Sequence, residues 1–200
     1  MKKFELTSEF ITNIFGTKLF RIKALIEFGN VKAGELGGFV EKEENLSQDG
    51  NAWVYDNARV YGNARVYGDA CVCGDARVYD NARVHGNAWV YGNARVHGNA
   101  CVYGNACVCG DACVCGDARV CGDACVYGDA GYATVHGFGS EYRTTTFFKT
   151  KAGVGVKCGC FYGNLSEFRK KVVETHGETK KAKEYLMLAD LMEFRFSDNS

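Results

Sequence analysis

The chain has 200 residues, 24 basic and 24 acidic side chains and no proline. A net charge of zero excludes a global electrostatic pull toward nucleic acid or membrane lipid, and no apolar run approaches membrane-spanning length. Eleven cysteines form an odd set behind a start without an apolar leader, so they are expected to be reduced thiols of a cytoplasmic protein rather than a disulfide framework.

In chain order, residues 1–37 are expected to form an N-terminal β cap. Phe4 to Phe15 and Leu19 to Phe28 are β-prone runs on either side of a Gly16-Thr17 turn. A second signal begins at Gly50. The phrase Gly-Asn-Ala-Arg-Val-Tyr repeats with small variations as far as Ala133, and this stretch contains neither Lys nor Glu. Ala-x-Val alternation puts Ala and Val on one side of a short strand, and Gly-Asn or Gly-Asp supplies a corner with left-handed backbone. Gly38 lies two hexads before Gly50, and Val40 and Leu46 stand where Ala52 stands later. The solenoid is therefore expected over 38–137. Its phase slips near the end, at Ala133-Thr134-Val135-His136-Gly137. Residues 138–200 are expected to be a ββαα module. In it, Asn164 would cap a helix over Leu165 to His176, and a second helix would run from Lys180 to Phe194.

An aliphatic residue followed four later by a small one, as in Val54 and Ala58, Val60 and Ala64, or Val66 and Ala70, resembles the left-handed parallel β-helix hexapeptide repeat. The resemblance implies a mainly β fold of about five triangular coils. It also implies three hexads per coil, commonly assembled as a homotrimer. Counted in threes, the outward residues fall on three faces. One carries Trp53, Tyr55, Cys71, Cys73, Trp89, Tyr91, Cys107, Cys109, Cys125 and Tyr127, with no arginine. The second carries Arg59, Tyr61, Arg77, Tyr79, Arg95 and His97, then Cys113 and Cys115. The third carries Arg65, Tyr67, Arg83, His85, Cys101, Tyr103, Arg119 and Cys121. An apolar stripe as long as the first is expected at a subunit interface built on Trp53 and Trp89. The alternative is that its rings stack on one another down the ladder.

Arginines stacked at strand spacing repel, so they need a counter-charge: corner aspartates such as Asp56, Asp75 and Asp80, or an anion. Arg beside Tyr is also the chemistry of a phosphate or nucleotide site, a planar fork for oxygens and a ring for a base. The candidate ligand-binding residues are Arg59, Arg77, Arg95, Tyr61, Tyr79, His97, Arg65 and Arg83. The Cys-x-Cys pairs at 71/73, 107/109, 113/115 and 158/160 place thiols ~6.5 Å apart in Cα. This is not the usual zinc spacing, and no metal site is expected. The outward columns interchange only Arg, Cys and Trp, or Tyr, Cys and His, sets joined by single-base codon changes, so drift after duplication also accounts for the thiols. His85 and His97 lie in a column that otherwise holds Tyr or Cys. Cys160 and His176 would make a nucleophile pair if the fold joined them; His176 closing a helix is the alternative.

Cys158-Gly159-Cys160-Phe161-Tyr162-Gly163-Asn164-Leu165, with Glu167-Phe168, Thr175-His176-Gly177 and Lys183-Glu184-Tyr185, resembles a C-terminal module of uncharacterised phage and prophage proteins. There it accompanies repeat arrays that begin like Leu36-Gly37-Gly38-Phe39-Val40-Glu41. The resemblance implies a context and transfers no functional residue. Together these readings lead to a non-catalytic binding protein that holds a small anion or nucleotide in Arg- and Tyr-lined subunit clefts. In a phage setting it would sequester a host immune signal. Two other readings stay open. One is an acyltransferase of the hexapeptide family using acyl-CoA, although the array extrudes no loop of the kind those enzymes use beside their histidine. The other is a structural rod that holds a host protein through residues 138–200. No catalytic residue and no bound cofactor are expected.

Overall fold

In the computed structural model, which describes residues 2–197, each Ala-x-Val phrase is a strand of two or three residues. Its amides bond to the coil above, as in Trp53 N–H to Ala70 O at 3.0 Å and Arg77 N–H to Ala94 O at 2.9 Å. The strands stack in parallel in the expected threes. Trp53 pairs with Cys71 and Cys71 with Trp89; Arg59 pairs with Arg77 and Arg77 with Arg95; Arg65 pairs with Arg83 and Arg83 with Cys101. Five rungs on the first face set a solenoid of about five coils. Every Ala and Val of the phrase from Ala52 to Val126 is at most 1 % exposed, so the core is two small side chains per phrase in a narrow three-sided prism.

The corners explain the Gly column. Gly86 and its equivalents have φ near +70°, and a Cβ on Gly86 would stand 3.0 Å from the backbone N of Gly104. Asp56 and Asp80 hold the same left-handed backbone at φ 52° and 59°. Each places its carboxylate on the amide of the glycine one coil above, Gly74 at 3.1 Å and Gly98 at 3.2 Å. The Asn-or-Asp column that follows forms corner ladders. Asn63 donates to Asn81, Asn81 to Asn99 and Asn99 to Asp117, at 3.3, 3.3 and 3.0 Å. An amide both donates and accepts, so it passes the ladder on; a carboxylate only accepts and ends it. The first corner follows the same rule: Asn51 stops at Asp69, and Asn87 runs through Asn105 to Asp123.

The N-terminal hairpin forms as expected from the strands Phe4–Thr12 and Lys18–Ala24. Asn13 Oδ1 accepts the Phe15 and Thr17 amides in the turn. The hairpin extends the first arginine sheet through the strand Leu36–Val40, which is antiparallel to Lys18–Ala24 and parallel to Arg59–Val60. The expected phase of this first coil needs correcting. Val40 pairs with Val60 and Leu46 with Val66, so both take the Val position rather than that of Ala52. The two extra residues lie in the bend before Gly50. Lys3 is buried over the end of the prism and donates to Ala52 O at 3.0 Å. Its burial lowers the ammonium pKa to about 8.

At the far end the strand Tyr132–Val135 is not a further coil. It is the edge of an antiparallel sheet with Thr145–Thr150, Gly153–Cys158 and Phe161–Asn164, so the module carries four strands ahead of its helices. Helix α1 (Leu165–His176) starts with a capping box between Asn164 and Glu167 and stops at Gly177. Helix α2 (Lys180–Phe196) starts on Thr179. The helices pack on the sheet through Phe147, Phe168, Tyr185, Leu188 and Met192. The sheet docks on the solenoid: Phe148 enters the solenoid core, and Thr146 Oγ1 accepts the Arg119 amide at 3.0 Å. Both ends of the prism are thus covered by antiparallel sheet, which removes the open edges a solenoid would expose. Among the described residues no helix is long and apolar enough to cross a membrane. The extreme ends of the cap and of the C-terminal module, Met1 and residues 198–200, lie outside the described residues.

The ladder rule makes an isosteric test. Asn81→Asp sets a carboxylate against the Asn99 acceptor and should lower stability by about 1 kcal/mol. Asp117→Asn, at the ladder's end, should change it by less than about 0.5 kcal/mol. Equal effects in urea unfolding would contradict the rule.

Candidate functional site

The eight candidate residues divide between two faces. On the first arginine face, Arg59, Arg77 and Arg95 occupy consecutive rungs, and beside them Tyr61, Tyr79 and His97 stack with centroids 5.1 and 4.8 Å apart. This is a flat ladder. On the second arginine face, Arg65 and Arg83 are neighbours and, with Tyr67, line an open groove of about 700 Å³. The remaining walls are Val66, Leu46 and four polar residues of the first coil, Glu43, Glu44, Ser47 and Gln48. Sequence reasoning missed those four. Their signal was the Glu- and Lys-rich irregularity of the first two repeats.

Of the two counter-charges expected for the ladders, the corner aspartates close no contact ion pair with the arginines among the described residues. Asp56 and Asp80 face the glycine amides. Among the described residues Arg59, Arg65, Arg77, Arg83 and Arg95 make no ion pair, and all but the half-buried Arg59 are exposed. In the groove, Glu43 is taken by Lys2 at 2.6 Å, whereas Arg65 and Arg83 present free guanidinium forks. Tyr67 stacks on His85 at 4.6 Å and 7° on one side. Among the described residues no ring stacks on its other face, so the aromatic stack ends at Tyr67, which lines the groove. His85 continues to Tyr103 at 5.1 Å. Burial first, and the charge of Arg83 second, hold its imidazole below the ordinary value, so it is neutral near pH 7.

The aromatic and thiol face departs from expectation at one end. Trp53 is 1 % exposed, covered by Phe4 and Phe28 at 6.1 and 5.3 Å, so the chain's own cap uses the surface reserved for a subunit. Trp89 remains 52 % exposed. The two indoles are separated by the Cys71 rung and do not stack. In the C-terminal module His176 lies against Tyr185 at 5.9 Å, while Cys160 is exposed in a turn. No contact joins Cys160 to His176 among the described residues.

Residues 52–68, 58–74 and 76–92 match the family model of the YdcK β-solenoid repeat. The chain is a parallel β-solenoid repeat protein. A stretch of 63 residues is 40 % identical to the Escherichia coli (strain K12) protein named "Uncharacterized acetyltransferase YdcK". The match covers 28 % of this chain and 19 % of that relative, so the chain spans about a fifth of the relative's length. The likeness bears on the repeat alone.

The depressed His85 has a pH signature in the solenoid's stability. Below about pH 6.5 the unfolded chain takes up a proton that the folded imidazole resists, so stability is lost as the pH falls. His85→Tyr, which restores the ring carried by Tyr67 and Tyr103, should therefore gain in thermal midpoint over wild type as the pH drops from 8 to 5 (about the range of histidine titration). A pH-independent difference would contradict the assignment.

Proposed function

We propose that the protein is a non-catalytic binder of a small anionic ligand of nucleotide type, held in the groove of Arg65, Arg83 and Tyr67. The observation that carries this reading is a pair of neighbouring arginines that close no ion pair among the described residues, set beside a Tyr ring that ends its aromatic stack at the groove. Arginines on neighbouring rungs, with strands about 4.8 Å apart, can both reach the oxygens of one phosphate, and the Tyr67 ring suits a base. Glu44 and Gln48 at the same groove favour a ligand that also carries N–H donors over a bare inorganic anion. In the phage setting that the C-terminal resemblance implies, such a groove withdraws a host nucleotide signal from its receptor. Copies of the chain meet through exposed Trp89, as expected of a hexapeptide-type trimer, while Trp53 stays with its own cap.

A second reading is acyl transfer, favoured by the printed name of the E. coli relative and by a neutral His85. Against it, the coils from Gly50 to Gly128 extrude no loop, and the His85 ring is sandwiched between Tyr67 and Tyr103.

Native mass spectrometry and thermal shift with a panel of nucleotides, inorganic phosphate and coenzyme A separate these. Binding should favour a nucleotide over phosphate and weaken at least about tenfold in Arg65→Ala plus Arg83→Ala, a loss of about 1.4 kcal/mol. Trp89→Lys should reduce the assembly to a single chain. Nucleotide binding unchanged by the double variant, or none in wild type, overturns the reading; coenzyme A binding with acyl turnover installs the second.

A further inference from the structure

The first arginine face changes chemistry at its last rung. Where lower rungs carry Arg and Tyr or His, this one carries Cys113 and Cys115, and the ring below is His97. His97 Nε2 stands 3.3 Å from Cys113 Sγ, and the ligand atoms of His97, Cys113 and Cys115 all lie within 4.8 Å of one another. Zinc bonds of about 2.0 Å to nitrogen and 2.3 Å to sulfur in a tetrahedron put N and S roughly 3.5 Å apart, and two sulfurs roughly 3.8 Å apart. The objection from Cα spacing fails here because the side chains bring both sulfurs within 4.8 Å of each other and of one ring nitrogen.

The surroundings are those of a supported ligand set. Stacking on Tyr79 at 4.8 Å and 6° fixes the plane of the His97 ring. Its other nitrogen, Nδ1, stands 3.7 Å from the Asp80 carboxylate, beyond a hydrogen bond but close enough that a small shift on metal binding would let Nδ1–H donate to it, the arrangement that leaves Nε2 free for a metal. From the other side, Asp129 Oδ1 accepts the Cys113 amide at 2.8 Å, and Tyr132 Oη lies 3.6 Å from Cys115 Sγ. The chain leaving the solenoid therefore folds back over the thiols. An open groove of about 520 Å³ beside them is lined by Asp129, Tyr132 and Arg195.

We propose that His97, Cys113 and Cys115 form a zinc site, with the fourth position open to water or an outside ligand. Two thiolates and an imidazole suit zinc rather than magnesium or calcium, which take oxygen ligands. Zinc enters by displacing one proton from each thiol to solvent, while His97 binds as the neutral ring. Two thiolates balance the charge of the ion. Asp80 acts through His97 as a positioning residue.

The test is cobalt(II) titration of the reduced, metal-free full chain, followed by zinc competition. Wild type should take up one equivalent with the intense visible bands of a tetrahedral, thiolate-bound cobalt. His97→Tyr reinstalls a residue that the same column carries on lower rungs, and Cys113→Ser and Cys115→Ser keep the side-chain size beneath Tyr132; each should abolish the spectrum. Asp80→Asn should weaken binding about 10- to 100-fold while the thermal midpoint of metal-free protein stays the same. Cys71→Ser plus Cys73→Ser should leave the site intact. A wild-type chain without tetrahedral cobalt, a spectrum that survives His97→Tyr, or one lost in the Cys71/Cys73 variant overturns the proposal.

Discussion

Each strand of the array is held to its equivalent one coil on by backbone hydrogen bonds, and the rest of the molecule depends on that register. Arg59 faces Arg77 and Arg77 faces Arg95 because every coil from Gly50 onward has the same length. Ala and Val then fall inward at every phrase, and the burial of small side chains, repeated without exception, supplies the cohesion. The same constraint forces like onto like outside, so each outward column becomes a ladder of repeated chemistry.

The ladders differ in what that repetition does. At the corners it helps, because an Asn amide donates upward and accepts from below, and Asp closes the run. Aromatic columns also gain, since Tyr61, Tyr79 and His97 stack nearly parallel. Guanidinium columns do not gain. Asp56 and Asp80 accept glycine amides and close no contact ion pair with the arginines, so the stacked guanidiniums keep a repulsion. The anionic ligand proposed above would supply a counter-charge that the ladder's own neighbours do not place in contact with it. Where the column changes to cysteine at Cys113, the same stacking delivers thiols to His97.

Much of this was legible in the residues. The hexad period fixes which side chains are core and which rungs align, and Asn164, Gly177 and Gly16 punctuate the flanks where the structure turns. Two things were not legible. The first coil is irregular, so counting back by sixes from Gly50 put Val40 on the Ala column, and only backbone pairing with Val60 reveals the two added residues. The phrase at Ala133 looked like a repeat, yet its strand pairs antiparallel with Thr145–Thr150, because alternation alone does not state the partner. The site was half legible. Arg65 and Arg83 follow from the period, but Glu44, Ser47 and Gln48 reach the groove through that same irregular coil. Trp53 was misassigned to a subunit contact because nothing local announces that Phe4 and Phe28, distant in sequence, cover it.

The central claim is that the arginine ladders carry charge that the chain itself leaves uncompensated. The most direct measurement is the unfolding free energy of Arg77→Gln against wild type at low and high salt. Arg77 sits between Arg59 and Arg95 on the flat face, away from the groove. The account predicts that Arg77→Gln is the more stable protein at low ionic strength, by about 0.5 kcal/mol, and that the gain fades as salt screens the ladder. A variant less stable than wild type at low salt would show that Arg77 is held by a counter-charge, and would contradict the account.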